Sequence, residues 1–182
     1  MNDPNKLLFI HIPKTGGMSI KSIIGGLLFD LDFNDRHLTA EAFCSRISKQ
    51  LYDKLYKFTV VRNPYDRLVS YYYFMLNDID HKEHVVQTQT LSEYIVWASE
   101  GNVATQFEQV SIHGRIAVNR LLKFENLQED WSELAQEFGL QEYLPCVNES
   151  MHSYWQDEFS PADMQIIYES FEVDFKMFGY CK

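Results

Sequence analysis

The sequence predicts an α/β fold in three layers, with a central parallel sheet flanked by helices. Two apolar runs, residues 7–12 and 58–61, each break off in a turn and open at once into an amphipathic helical pattern, and a third run at 120–124 does the same. Alternation of buried strands with helices is the signature of a parallel sheet covered on its faces. No linker, repeat or low-complexity stretch divides the 182 residues, so one domain spanning 1–182 is expected.

The first run is nearly unbroken in its apolar character until Pro13 stops it. Gly16 and Gly17 follow, permitting backbone angles and a close approach that side chains forbid, and the next helix offers unpaired N–H groups and a positive dipole end. Lys14 adds a point charge, and Thr15 and Ser19 add hydroxyls around Met18. Ile20, Ile23, Ile24, Leu27 and Leu28 recur at helical spacing, one stripe to seat this helix on the sheet. The segment reads as a phosphate cradle. It differs from the GxxxxGK[ST] nucleotide loop, where lysine follows the glycines; here Lys14 precedes them, which disfavours an ATP or GTP kinase.

The second run ends in Arg62, at the C-terminal end of a strand, where ligands collect in open α/β sheets. Pro64 suits the first turn of a helix because it has no N–H to lose. Leu68, Tyr71, Tyr72, Met75 and Leu76 form that helix's apolar stripe, and Ser70 falls off it. Arg62 supplies a planar fork matched to phosphate oxygens and Ser70 a hydroxyl. Asp66 and Arg67 read as a structural ion pair or as solvated groups. Two phosphate sites on one sheet edge imply a ligand with phosphates at both ends.

Farther on, residues 120–124 read as a third strand, and Trp131, Leu134, Ala135 and Phe138 form a helical stripe closed by Gly139. Ser160, Pro161 and Asp163 mark another helix start, with Met164, Ile167, Tyr168 and Phe171 on its buried face. Residues 77–115 are polar, have the least clear pattern and are expected to form one side of a ligand cleft. His81 and His84 have the spacing of a metal pair, but no acid or cysteine completes a site, so they read as solvated and no metal is expected.

At the quoted segments the chain resembles the sulfotransferases that use 3′-phosphoadenosine 5′-phosphosulfate, in particular the branch of carbohydrate 2-O- and 6-O-sulfotransferases and their small bacterial relatives. Residues 11–19 are similar to that family's 5′-phosphosulfate loop, and residues 61–70 to its 3′-phosphate motif. Further likeness at 36–40, 122–131, 144–150 and 173–180 extends it over nearly the whole chain. The resemblance implies a P-loop-like fold, with donor contacts from Lys14, Thr15, Gly16, Gly17, Met18, Ser19, Arg62, Ser70 and Ser150. Met18 stands where the family usually has threonine, and Cys146 and Glu149 where relatives commonly carry histidine and lysine. An acid at 149 cannot reproduce a cationic contact, so that role is not carried over.

By the same resemblance, the histidine of Arg36-His37-Leu38-Thr39-Ala40 acts as the general base. Histidine suits the task because its ordinary pKa, about 6.5, lies close to working pH. Read without the family, His37 is a loop or capping residue, with Thr39 capping a helix that starts near Ala40; His113 and His11 are the next candidates for the base. Lys14 would stabilise the charge growing on the departing phosphate.

Lys and Arg number 16 against 26 Asp and Glu, a net charge of −10, which argues against nucleic acid or an anionic membrane surface as partner. It also disfavours a densely sulfated or uronate-rich acceptor. Of the plentiful aromatics, Trp97 and Trp155 are the two that could face a sugar ring, although a core position is the simpler reading. Cys44, Cys146 and Cys181 are odd in number and show no CxxC pair, as in a reduced, cytoplasmic protein. No secretion signal or membrane span is read. The expected activity is sulfuryl transfer from the phosphosulfate donor to a hydroxyl of a small-molecule or oligosaccharide acceptor. A phosphotransferase on a related fold and a catalytically silent nucleotide-binding module stay open, and the oligomeric state is not legible.

Overall fold

The computed structural model describes residues 3, 6–25, 37–77, 90–145, 147 and 154–182. In chain order the first elements are β1 (Leu7–Phe9), α1 (Gly17–Ile24), α2 (Ala40–Ile47), α3 (Lys49–Lys54), β2 (Tyr56–Val61), α4 (Pro64–Asn77) and α5 (Leu91–Trp97). There follow α6 (Gln106–Val110), β3 (Ser111–Ile112), β4 (Arg115–Ile116), β5 (Arg120–Lys123), α7 (Leu127–Phe138), α8 (Trp155–Glu158), α9 (Pro161–Ser170) and α10 (Glu172–Phe178). The chain packs as two compact units, one of Met1–Val61 and Gln106–Asn148, the other of Arg62–Thr105 and Glu149–Lys182.

The first unit is α/β. Its three-stranded sheet has the order β1-β2-β5, parallel throughout, with Phe9 opposite Phe58 and Val61 opposite Lys123. Side chains two apart on a strand share a face, so Leu7, Phe9, Phe58, Val60 and Leu122 form one apolar surface. Ile20 and Ile24 of α1 and Trp131, Leu134, Ala135 and Phe138 of α7 cover it. Burying one such side chain stabilises by about 1.5–3 kcal/mol. Trp131 is wholly buried, and its indole N–H donates to the Gln141 carbonyl at 2.9 Å. Gly139 closes α7 in the left-handed conformation (φ 66°), as its position after the stripe predicts.

β1 is shorter than the apolar run suggested. Ile10 N–H still donates to the Phe58 carbonyl at 2.9 Å, but the Ile10 carbonyl is taken by the Thr59 hydroxyl at 2.7 Å. A side chain there replaces the next ladder donor, so His11 and Ile12 leave the strand. β2 begins two residues earlier than expected, and its edge is clipped to the approach of β5: Lys57 N–H donates to Asn119 Oδ1 at 2.8 Å and Asn119 N–H to the Lys57 carbonyl at 2.7 Å. β3 and β4 form a hairpin whose two turn residues, His113 (φ 51°) and Gly114 (φ 71°), both take positive φ, as a tight antiparallel turn requires.

The second unit is helical. Tyr65, Leu68, Val69 and Tyr72 of α4 pack with Tyr94 and Ile95 of α5, Ile167 of α9 and Phe175 of α10. Trp155 stacks on Tyr65 at 4.6 Å, and Trp97 lies against the same core, so both tryptophans are half-buried at the edge of the helical core. Thr90 with Glu93 caps α5, and Ser160 with Asp163 caps α9, each as a reciprocal capping box. Among the described residues no helix is long and apolar enough to cross a membrane.

Candidate active site

The turn after β1 is shaped by its main chain. Lys14 and Gly16 take positive φ, 67° and 78°, and α1 starts at Gly17 with no side chain capping its first turn. A non-glycine residue held this way costs of order 1 kcal/mol, and the surroundings must enforce it. Thr15 contributes to that: it is fully buried and its hydroxyl donates to the Ile12 carbonyl at 2.8 Å. The α1 N-terminus therefore presents N–H groups and a positive dipole end, the arrangement that binds phosphate and sulfate oxygens.

Both glycines are required sterically. A Cβ on Gly16 would lie 2.9 Å from Leu127 Cδ2, and Gly16 also needs its positive φ. A Cβ on Gly17 would lie 2.0 Å from His11 Cδ2 and 2.1 Å from His11 Nε2. The His11 imidazole thus rests edge-on against the start of α1. Its ring is almost buried and stacks on Phe9 at 5.4 Å. The exposed His37 also lies against it, ring centroids 4.6 Å apart, with His37 Nδ1 3.2 Å from the His11 carbonyl oxygen. Two residues on, Thr39 Oγ1 accepts from Ala42 N–H at 3.2 Å and caps α2, so His37 stands at the entrance of a fixed helix.

Ser19 is buried on α1, and its Oγ accepts from Val147 N–H at 3.3 Å, tying Val147 to the cradle. Met18 is 41% exposed. Its thioether contributes nothing to the main-chain geometry of the turn.

In the second unit Arg62 is buried, and its Nε donates to Asp66 Oδ2 at 2.7 Å. One carboxylate thereby fixes the plane of the guanidinium and offsets the cost of burying it. Asn63 Oδ1 accepts from Tyr65 N–H at 3.0 Å and starts α4, with Pro64 in its first turn as expected. Ser70 is fully buried on α4. The pairing expected for Asp66 and Arg67 is corrected here: Asp66 binds Arg62 instead. Arg67 is neither solvated nor its partner, because it points into the helical core and donates from Nη1 to the Ala104 carbonyl at 3.1 Å. Burial pulls its pKa below the usual range, and the buried Asp174 nearby opposes that shift.

A model of the sulfotransferase family matches residues 1–181. The chain belongs to the sulfotransferase family. No curated protein matches it. The observed parallel sheet flanked by helices is the architecture expected of a sulfotransferase, and the enzyme moves sulfuryl groups.

In this sulfotransferase, Lys14, Thr15, Gly16, Gly17, Met18, Ser19 and His37 all belong to the first unit, and Arg62 and Ser70 to the second. Ser150, Glu149, Cys146, Arg36, His81 and His84 lie outside the described residues. His113, the reserve candidate for the base, is the exposed turn residue of the β3–β4 hairpin. Sequence reasoning gave no role to Asp66 on Arg62, although a carboxylate four residues after an arginine is the spacing of a helical ion pair. It ranked His11 last, and the signal that could have raised it is an imidazole two residues before Pro13, at the point where the strand leaves its ladder.

Proposed function

We propose that this sulfotransferase transfers the sulfuryl group of 3′-phosphoadenosine 5′-phosphosulfate to a hydroxyl of a carbohydrate acceptor and releases adenosine 3′,5′-bisphosphate. The observation that carries the proposal is the neighbourhood of His37: an exposed imidazole, hydrogen-bonded to the carbonyl of the residue whose ring rests on the anion-binding turn. In the proposed step the acceptor hydroxyl gives its proton to His37, and its oxygen forms a bond to sulfur. The bond between sulfur and the bridging phosphate oxygen breaks, and the electron pair leaves with the 5′-phosphate. The N–H groups at the start of α1 and the Lys14 ammonium stabilise that oxygen as it becomes charged, where such groups contribute most.

The motif resemblance assigns the donor's 3′-phosphate to Arg62 and Ser70. Arg62 suits it because the Asp66 contact pre-orients the guanidinium. The net charge of −10 favours an uncharged sugar over a polyanionic chain. A cytoplasmic location belongs to the same proposal and is supported by the free thiols of Cys44 and Cys181.

The test is a screen of oligosaccharides and simple alcohols with labelled donor, followed by His37→Ala on the best acceptor. Transfer should slow by about 10²–10⁴-fold while donor affinity holds, and the acid limb of the rate profile should flatten, because the group that must be deprotonated is gone. Near-normal transfer by the variant would place the base elsewhere.

A further inference from the structure

The carbonyl oxygen of His11 can only accept a hydrogen bond, so its 3.2 Å contact with His37 Nδ1 requires the proton to be on Nδ1. A neutral imidazole carries one ring proton, and the lone pair then lies on Nε2. We infer that His11 is a positioning residue of the transfer reaction: its main-chain carbonyl holds His37 in the Nδ1–H form, and its ring, seated on Gly17, holds that carbonyl in place. This rests on the proposed role of His37 as base.

Three contacts set His11 where the role needs it. The Ile10 N–H donates to Phe58 and the Ile10 carbonyl accepts from Thr59, which anchors the residue directly before His11 to β2. Phe9 stacks on its ring at 5.4 Å and the His37 ring lies tilted against it at 4.6 Å. The bare Cα of Gly17 receives the ring's Cδ2–Nε2 edge. The glycine that leaves the start of α1 open to an anion is thus also the seat of the group that orients the base. When the acceptor's proton arrives on His37 Nε2, the Nδ1–H stays on the carbonyl and becomes a charge-assisted hydrogen bond, which stabilises the imidazolium.

The experiment is a two-bond proton–nitrogen correlation spectrum of the full chain labelled with ¹⁵N-histidine, recorded above the titration range of its imidazoles, with His37 assigned by its loss in His37→Gln. The expected result is a protonated Nδ1 and an unprotonated Nε2 on His37, the reverse of the form an unconstrained histidine favours. An Nε2–H form overturns the inference, even if His37→Ala abolishes transfer and the base reading survives. An Nδ1–H form in a protein whose His37→Ala variant transfers normally overturns the base reading, and with it the positioning role given to His11. His11→Ala should shift His37 toward the Nε2–H form, and His11→Phe, which keeps a ring on Gly17, should not. An unchanged signature in folded His11→Ala overturns the part given to the ring. Should that variant fail to fold, the wild-type spectrum alone decides.

Discussion

At residues 13–19 the groups suited to an anion belong mainly to the main chain, held by two left-handed residues, two glycines and an uncapped helix start. At Arg62 the suited group is one side chain, buried and aimed by one carboxylate. The first arrangement is a property of the backbone path. It depends on what is absent from Gly16 and Gly17 and is indifferent to what Met18 carries. The second depends on a single guanidinium and on the Asp66 contact that helps orient it. One kind of anion site fails when atoms are added, the other when atoms are removed.

The largest effect that would sharpen this contrast is expected from Gly17→Ala. The new methyl group would overlap the His11 ring, so either the ring or the turn must move by more than 1 Å. Turnover should fall by about 10²-fold, the usual cost of such a displacement at a reacting centre, while circular dichroism shows the helices retained. Wild-type rates in this variant would break the backbone account.

Arg62→Ala should come next. It should remove about 1.5–3 kcal/mol, the value of a hydrogen bond to a charged group, from the preference for adenosine 3′,5′-bisphosphate over adenosine 5′-monophosphate. Titration calorimetry with both nucleotides measures it, and a preference unchanged by the substitution would remove Arg62 from the 3′ end. The smallest effect is expected at position 18. Met18→Thr restores the hydroxyl that relatives usually carry, yet donor binding should change by no more than about 1 kcal/mol, since one neutral hydrogen bond is worth little net. A gain of tenfold or more on the same instrument would show that side chains carry more of the cradle than its main-chain geometry indicates.

The same contrast explains what the sequence disclosed. The three parallel strands, the Gly139 stop, the Thr39 cap and the Ser160–Asp163 box were legible because each rests on local backbone chemistry. The end of β1 was not, because the Thr59 hydroxyl that replaces the next ladder donor lies 49 positions away from Ile10. Arg67 was misjudged by periodicity. A single stripe describes a helix with one covered face, whereas the first half of α4 is buried around most of its circumference, and polar residues there are held inside, as Arg67 is by the Ala104 carbonyl. His11 was hidden for a related reason: within an apolar run a lone imidazole reads as one more strand residue, and its role emerges only when the fold brings Gly17 and His37 against it.

The proposed donor, a nucleotide bearing a phosphate at 3′ as well as at 5′, is tested most directly by calorimetric titration of the wild-type chain with adenosine 3′,5′-bisphosphate and, separately, with ATP. The account predicts one site per chain and an affinity for the bisphosphate at least tenfold above that for ATP, because a fork-shaped group at Arg62 matches a 3′-phosphate and the Lys14-before-glycine turn lacks the lysine order of the ATP loop. Equal affinities, or tighter binding of ATP, would contradict it.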